Sequence, residues 1–367
     1  MQSRPAAVRL LVPGNIQHNS GGNVYNASLT DGLSRLGVGV AIEPVEGEWP
    51  VASPEDRRRL AGLLVTGAGG SGPYAHGGSD GGRVTIVDGL VASGAPEALE
   101  EAAAGGQRPW ILLHMPLLDY PELESRSLRA AAGVICTSSS VAAEITRRHG
   151  AARVHVALPG TEPAEPARGS DPRHLISVAA LLPNKDQLTL LHALARVKDL
   201  PWTAALVGSE EADPDYAGAV RAAWTDLGLQ DRVRLTGEMT GQALEKEWHA
   251  ADLSLLVSKV EAFGMAVTES LAHGLPVVVR SGTGAVEALS LGAVESTAAG
   301  GGAAALPGAV VVLNSDPAPL AAVLRDWLTS PELQAAWRRA ALAGRERLPG
   351  WDAAARGVLD IISREQL

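Results

Sequence analysis

A chain of 367 residues is long for one hydrophobic core and comfortable for two domains. Hydrophobic residues at 46% and charged residues at 20% argue against a disordered chain, and a formal net charge of −10 argues against a nucleic-acid partner, which calls for a basic face. No apolar stretch is long enough to span a bilayer and the amino terminus has no basic segment followed by an apolar core, so a cytoplasmic protein without integral membrane association is expected. Peripheral association stays open, because a local basic helix can override a global balance, and the oligomeric state is unreadable.

In chain order, Val8 to Val12 reads as a strand, followed by a loop from Pro13 to Asn23 that carries Gly21-Gly22. A helix is expected from Val24 to Leu36, a strand from Val38 to Ile42 and a helix from Pro54 to Leu64, which is the opening of a doubly wound domain. Gly67 to Gly82, interrupted by Tyr74 and His76, reads as a surface loop. Strands at Arg83 to Val87 and Trp110 to Leu113 deliver Asp88 and His114 at their carboxyl ends, the edge where open α/β sheets place ligands. Cys136, the only cysteine, lies in the next strand, Gly133 to Thr137, and suits a small buried role. Ser138 to Ser140 cap a helix ending near Gly150, and Val154 to Leu158 form a strand. Residues 163–173, rich in Pro, Ala, Glu, Gly and Asp, read as an interdomain linker.

A second alternating pattern follows. Strands are expected at His174 to Val178, Trp202 to Val207, Val233 to Gly237, Leu253 to Val257, Val277 to Val279 and Val310 to Leu313. Helices are expected at Gln187 to Val197, Tyr216 to Leu227, Gln242 to Ala250, from Gly264 onward, between Pro317 and Arg347, and at Trp351 to Ser363. Ala298 to Ala305 reads as a loose loop, and Arg280 to Ala288 as a glycine-rich turn into a helix.

The most informative stretch runs from Ser258 to Val278. Glu261 falls in the loop after a strand and Glu269 on the following helix, with seven residues between them, so one ligand can reach both. Gly264 lacks a Cβ, and the free N–H groups of the helix start favour an anion such as a diphosphate. Carboxylates there would accept hydrogen bonds from sugar or ribose hydroxyls. Two solvated glutamates on an ordinary amphipathic helix would give the same spacing.

The whole string, Ser-x-x-Glu-x-Phe-Gly-x-x-x-x-Glu-x-Leu-Ala-x-Gly-x-Pro-Val-Val, resembles the signature of the retaining glycosyltransferases of family 4. That resemblance implies the α/β GT-B fold, two doubly wound Rossmann-like domains facing a central cleft. It implies an acceptor-side domain over residues 1–165, a nucleotide-sugar domain over 174–347, and a terminal helix in 348–367 crossing back to the first domain. It further implies donor contacts from Gly21 and Gly22, from the backbone at Gly237, Glu238 and Met239, and from Glu261, Ala262, Phe263, Gly264, Met265 and Glu269. Glu269 would take the ribose hydroxyls, and Glu261 the transferred sugar. His114, in a His-x-Pro element, would contact that sugar from the other domain, and Asp88 is a weaker acceptor contact.

Ala179-Ala180-Leu181-Leu182-Pro183-Asn184-Lys185-Asp186 stands where the family has Gly-Arg-Leu-x-x-x-Lys-Gly, with both basic residues on the diphosphate. Lys185 is kept; Ala180 replaces the arginine. The expected catalytic set is His114, Glu261 and Lys185, with no metal and no cofactor beyond a UDP, GDP or dTDP sugar as substrate. The expected activity is retaining, hexosyl-type transfer to a small soluble acceptor such as an aminocyclitol-like natural-product intermediate. A sugar-nucleotide 2-epimerase and a catalytically silent nucleotide-sugar-binding protein are the alternatives on the same fold.

Overall fold

The computed structural model describes residues 5–15, 20–66, 83–295, 304–314 and 316–365. The expected loop from Gly67 to Gly82, the middle of the loop after the first strand and most of Ala298 to Ala305 lie outside the described residues. The chain divides into two compact units, Met1–Gly160 with Pro349–Leu367, and Thr161–Leu348.

The first unit holds strands β1 (Ala7–Pro13), β2 (Gly39–Val45), β3 (Arg83–Asp88), β4 (Trp110–Leu113), β5 (Val134–Cys136) and β6 (Val154–Val156). They form one parallel sheet in the order β2-β1-β3-β4-β5-β6. Trp110 to Leu113 and Val134 to Cys136 are buried throughout, as strands covered on both faces must be. Pro44, which has no N–H to give a ladder, sits on the edge strand β2. The sheet order reverses between β1 and β3, and the carboxyl ends there deliver Asp88 and the Gly21–Arg35 helix.

The Trp351–Glu365 helix packs on the Gly21–Arg35 helix within this unit. Gly160 lets the backbone of Trp351 approach so closely that a Cβ would lie 2.4 Å from its Cα. Tyr25 meets the Trp351 ring edge-on at 5.4 Å, and Arg35 pairs with Asp352 at 2.7 Å.

The second unit repeats the plan with β7 (Arg173–Val178), β8 (Trp202–Val207), β9 (Val233–Leu235), β10 (Leu253–Leu256), β11 (Val277–Arg280), a short antiparallel pair β12 (Val294–Glu295) and β13 (Ala304–Ala305), and β14 (Gly308–Val311). The parallel order is β14-β11-β10-β7-β8-β9, so the chain switches sides between β7 and β10. Leu190, Leu194, Trp202, Leu206, Leu255, Leu324 and Trp327 share one core, while Ile176, Ala205, Val207, Trp248 and Leu275 pack in another. A crevice at a switch point is where open α/β sheets take ligands, and the loops after β7 and β10 carry Lys185 and Glu261.

Several local expectations need correction. Ser20 caps the first helix by accepting from the Asn23 N–H at 3.1 Å, so the helix begins at Gly21 rather than Val24, and Gly21 and Gly22 are helical rather than loop. The last strand is Gly308–Val311, because it pairs with β11 over Val277 to Arg280; Val312 beyond it is exposed. Helices at Gly89–Gly94, Pro96–Ala104 and Pro121–Ala130 were not expected. The first is too short and too uniformly buried to show a periodic face, whereas the other two each carry proline in their first turn, a usable start signal.

Candidate active site

At the carboxyl edge of the second sheet, Lys185 closes a 3-10 turn, Pro183–Lys185, after β7. Its Nζ lies 2.7 Å from Glu261 Oε2, and Ser258 Oγ donates to the same oxygen at 3.1 Å. The two loops are also joined through the backbone, where Lys259 N–H donates to the Asn184 carbonyl at 2.7 Å. Two residues assigned to different parts of a donor, diphosphate and sugar, are therefore ion-paired to each other here. Both remain partly exposed, with side-chain exposures of 21% and 14%.

Gly264 precedes the Met265–Ala272 helix with φ +90°, and a Cβ on it would meet Leu256 and Ala285 at 3.1 and 3.3 Å. The conformation itself requires glycine, which is a different reason from the ligand approach that the sequence suggests. Phe263 is buried while Ala262 and Met265 are half-buried. Gly284, at the start of the next helix, gives its N–H to the Glu261 carbonyl at 2.8 Å and lies against the Ala262 carbonyl, so that turn supports the Glu261 loop.

Glu269 lies on the Met265–Ala272 helix, half-buried. Burial pushes its carboxyl up to about 7, and the like charge of Glu245 adds to the shift. His273 holds this turn from below: its Nδ1 lies 2.8 Å from the Glu269 carbonyl, its Nε2 3.1 Å from Glu245, and its ring stacks on Trp248. Gly237, Glu238 and Met239 follow β9. The Gly237 carbonyl already accepts from Gly208 N–H and Thr236 Oγ1, each at 2.9 Å, so it has little capacity left for a base.

In the first unit, His114 follows β4 and its ring lies beside Gly22, where a Cβ would stand 3.2 Å from Cδ2. Asn26 donates through Nδ2 to Asp88 Oδ2 at 3.1 Å, which leaves its Oδ1 facing His114 Nε2 at 3.0 Å. Asp88 Oδ2 lies 3.3 Å from the same nitrogen. Both neighbours are acceptors, so Nε2 carries the hydrogen and Nδ1 keeps the lone pair in the neutral ring. Tyr25 packs edge-on against the imidazole. Asp88 is 3% exposed, and its other oxygen accepts from Leu90 N–H at 2.9 Å. It lies against His114 and caps the Gly89–Gly94 helix.

Sequence reasoning missed Asn26, Ser258 and the pair Asp186 and Arg280. Asn26 was within reach: once the helix starts at Gly21, Gly22 and Asn26 fall on one face at i and i+4. Among the described residues no group of three or more His, Cys, Asp or Glu side chains is arranged to hold a metal ion, and no helix is long and apolar enough to cross a membrane.

Residues 161–343, nearly coincident with the second unit, match the family model described as Glycosyl transferases group 1. Residues 161–343 form a group 1 glycosyl transferase domain. A D-inositol 3-phosphate glycosyltransferase of Streptosporangium roseum is 29% identical over 265 residues, 65% of this chain and 56% of that protein. The chain spans about half the length of the curated relatives it matches. Among solved structures, sucrose-phosphate synthase of Thermosynechococcus elongatus aligns with a TM-score of 0.69 at 19% identity over 98% of each chain. Anabaena HepE in complex with UDP-glucose aligns with a TM-score of 0.69 at 19% identity over 98% of this chain and 99% of that one. At such identity the likeness speaks for the fold, and that fold is the two-unit, Rossmann-like GT-B class expected from the sequence. Lys185, Glu261, Gly264 and Glu269 all lie inside the group 1 domain.

Proposed function

We propose that the chain is a retaining glycosyltransferase of family 4 type that moves a sugar from a nucleotide donor to a hydroxyl of a small cyclitol-like acceptor. The observation that carries this reading is the convergence of Lys185, Ser258, Glu261 and the Gly264 helix start at one switch point of the second sheet. The relatives named for D-inositol 3-phosphate support a cyclitol acceptor, and HepE with UDP-glucose supports a nucleotide-sugar donor.

In this reading Lys185 and the helix start hold the diphosphate, Glu269 takes the ribose hydroxyls, and Glu261 the hydroxyls of the transferred sugar. Donor arrival exchanges the Lys185–Glu261 ion pair for phosphate on one partner and sugar hydroxyls on the other. The bond from the anomeric carbon to the leaving phosphate breaks, the acceptor oxygen bonds on the same face, and the hydroxyl proton passes to the leaving phosphate oxygen. We keep His114, with its orientation fixed by Asn26 and Asp88, in the catalytic set; His114→Ala therefore lowers turnover by about tenfold to a thousandfold with little change in donor affinity. The test is product analysis by NMR after incubation with a UDP, GDP or dTDP sugar and inositol or its phosphate. An α-linked donor should give an α-linked product; an inverted linkage, or free sugar alone with every acceptor, contradicts the reading.

The raised Glu269 carboxyl gives a pH dependence with a defined sign. Hydroxyl donors favour the ionised carboxylate, so the bound state has the lower pKa and binding releases a proton. Donor affinity should rise as pH increases towards 7, by up to about tenfold per unit below it, and level off above. Calorimetry between pH 5.5 and 8 checks this, and Glu269→Gln should flatten the profile.

A further inference from the structure

Ala180 is not the only departure from the Gly-Arg-Leu-x-x-x-Lys-Gly pattern: Asp186 occupies the closing glycine position. Asp186 has φ +56°, a conformation in which glycine is at ease, and it is 3% exposed. An acidic side chain is thus buried next in sequence to the lysine assigned to the diphosphate. Its carboxylate is paired with the Arg280 guanidinium and lies 3.2 Å from Lys259 Nζ.

Arg280 ends β11, two strands away from β7, and reaches Asp186 along the carboxyl edge of the sheet. It is 6% exposed, and its Nε has no hydrogen-bond partner among the described residues. Burying a guanidinium this incompletely satisfied costs stability, so packing alone does not account for it. The local charges do. Among the ion-paired side chains, Lys185, Lys259 and Arg280 are positive while Asp186 and Glu261 are negative, three against two, so this cluster carries one net positive charge. Without Arg280 the balance is zero, and Asp186 becomes an anion held by Lys259 alone beside the phosphate position.

We propose that Arg280 is a positioning residue for the donor diphosphate. By neutralising Asp186 it keeps the edge positive and leaves Lys185 to the phosphates, supplying from β11 the charge that Ala180 does not supply from the β7 loop. The proposal rests on the nucleotide-sugar reading above and assigns Arg280 no contact with substrate.

The test measures, by calorimetry, the ratio of affinities for UDP over uridine, with the GDP, dTDP and ADP series run in the same way. Wild type should bind at least one diphosphate more tightly than its nucleoside; binding none sinks the nucleotide-sugar reading and the proposal with it. Given wild-type binding, Arg280→Gln should lower the diphosphate-to-nucleoside ratio by about tenfold, an effect that weakens with added salt. The double variant Asp186→Asn with Arg280→Gln restores the count to two positive against one negative and should recover most of the ratio. Equal losses of diphosphate and nucleoside binding in Arg280→Gln, or no recovery in the double variant, would overturn the proposal while leaving the nucleotide-sugar reading intact. Should Arg280→Gln not fold, the double variant, whose buried pair is neutral, still decides: a ratio within about threefold of wild type supports the charge account, and a tenfold loss overturns it.

Discussion

Lys185→Met should lower transfer by about two to three orders of magnitude in kcat, the scale seen when one preorganised charge is removed from a developing anion. Lys185 supplies two things at once. It pairs with Glu261 at 2.7 Å, and in the proposed reaction it stabilises the departing diphosphate. Removing it leaves Glu261, only 14% exposed in its side chain, with Ser258 as its remaining partner, so donor affinity should fall as well. Adding Glu261→Gln to Lys185→Met removes the stranded charge, and should recover thermal stability without recovering kcat. Steady-state kinetics with a melting curve separates the two effects; a single variant that keeps wild-type kcat would take Lys185 out of the reaction.

Gly284→Ala should be strongly destabilising, because the added methyl group meets backbone rather than side chain. A Cβ at this position would lie 1.8 Å from the Ala262 carbonyl oxygen and 2.9 Å from Phe263 N, both backbone atoms of the Glu261 loop that no side-chain rotation can move aside. Either the loop or the helix start must shift, and the Gly284 N–H bond to the Glu261 carbonyl goes with it. Overpacking of this severity costs about 3 kcal/mol or more, and the displaced Glu261 should weaken donor binding by at least about tenfold. Thermal unfolding and calorimetry report the two effects. Wild-type values in both would mean that the loop has room the structure does not show.

Much of this architecture is legible in the sequence because both sheets are parallel and covered on two faces, so their strands appear as short apolar runs such as Trp110 to Leu113 and Val277 to Val279. Helix ends with side-chain signals were equally plain: Ser138 accepts from Val141 N–H, and Gly150 closes the same helix at φ +58°. What escaped was structure without such a signal. Gly89–Gly94 is buried almost all round and shows no polar face, and the end of β14 depends on which residues of β11 it pairs with.

The site divides along the same line. Glu261, Gly264, Glu269 and Lys185 stand out because local spacing and a long signature string point to them. Asp88 also stood at a strand end, but exposure is a tertiary property. Its burial beneath His114, with Asn26 as a third member, appears only when the first helix is set against β3 and β4. Arg280 is a further case: in sequence it only opens a glycine-rich turn into a helix, and the sheet order brings it to Asp186, 94 residues away.

The central claim is that the carboxyl edge of the second sheet binds a nucleotide sugar. The most direct measurement is calorimetric titration of the purified protein with UDP, GDP, dTDP and ADP sugars, alongside the Lys185→Met and Glu269→Ala variants. Saturable binding of at least one donor by wild type is expected, with a rise in stability of about 2.7 kcal/mol at a hundredfold excess over its dissociation constant, and with both variants binding more weakly. No binding by any donor, or binding that both variants leave unchanged, would contradict the account.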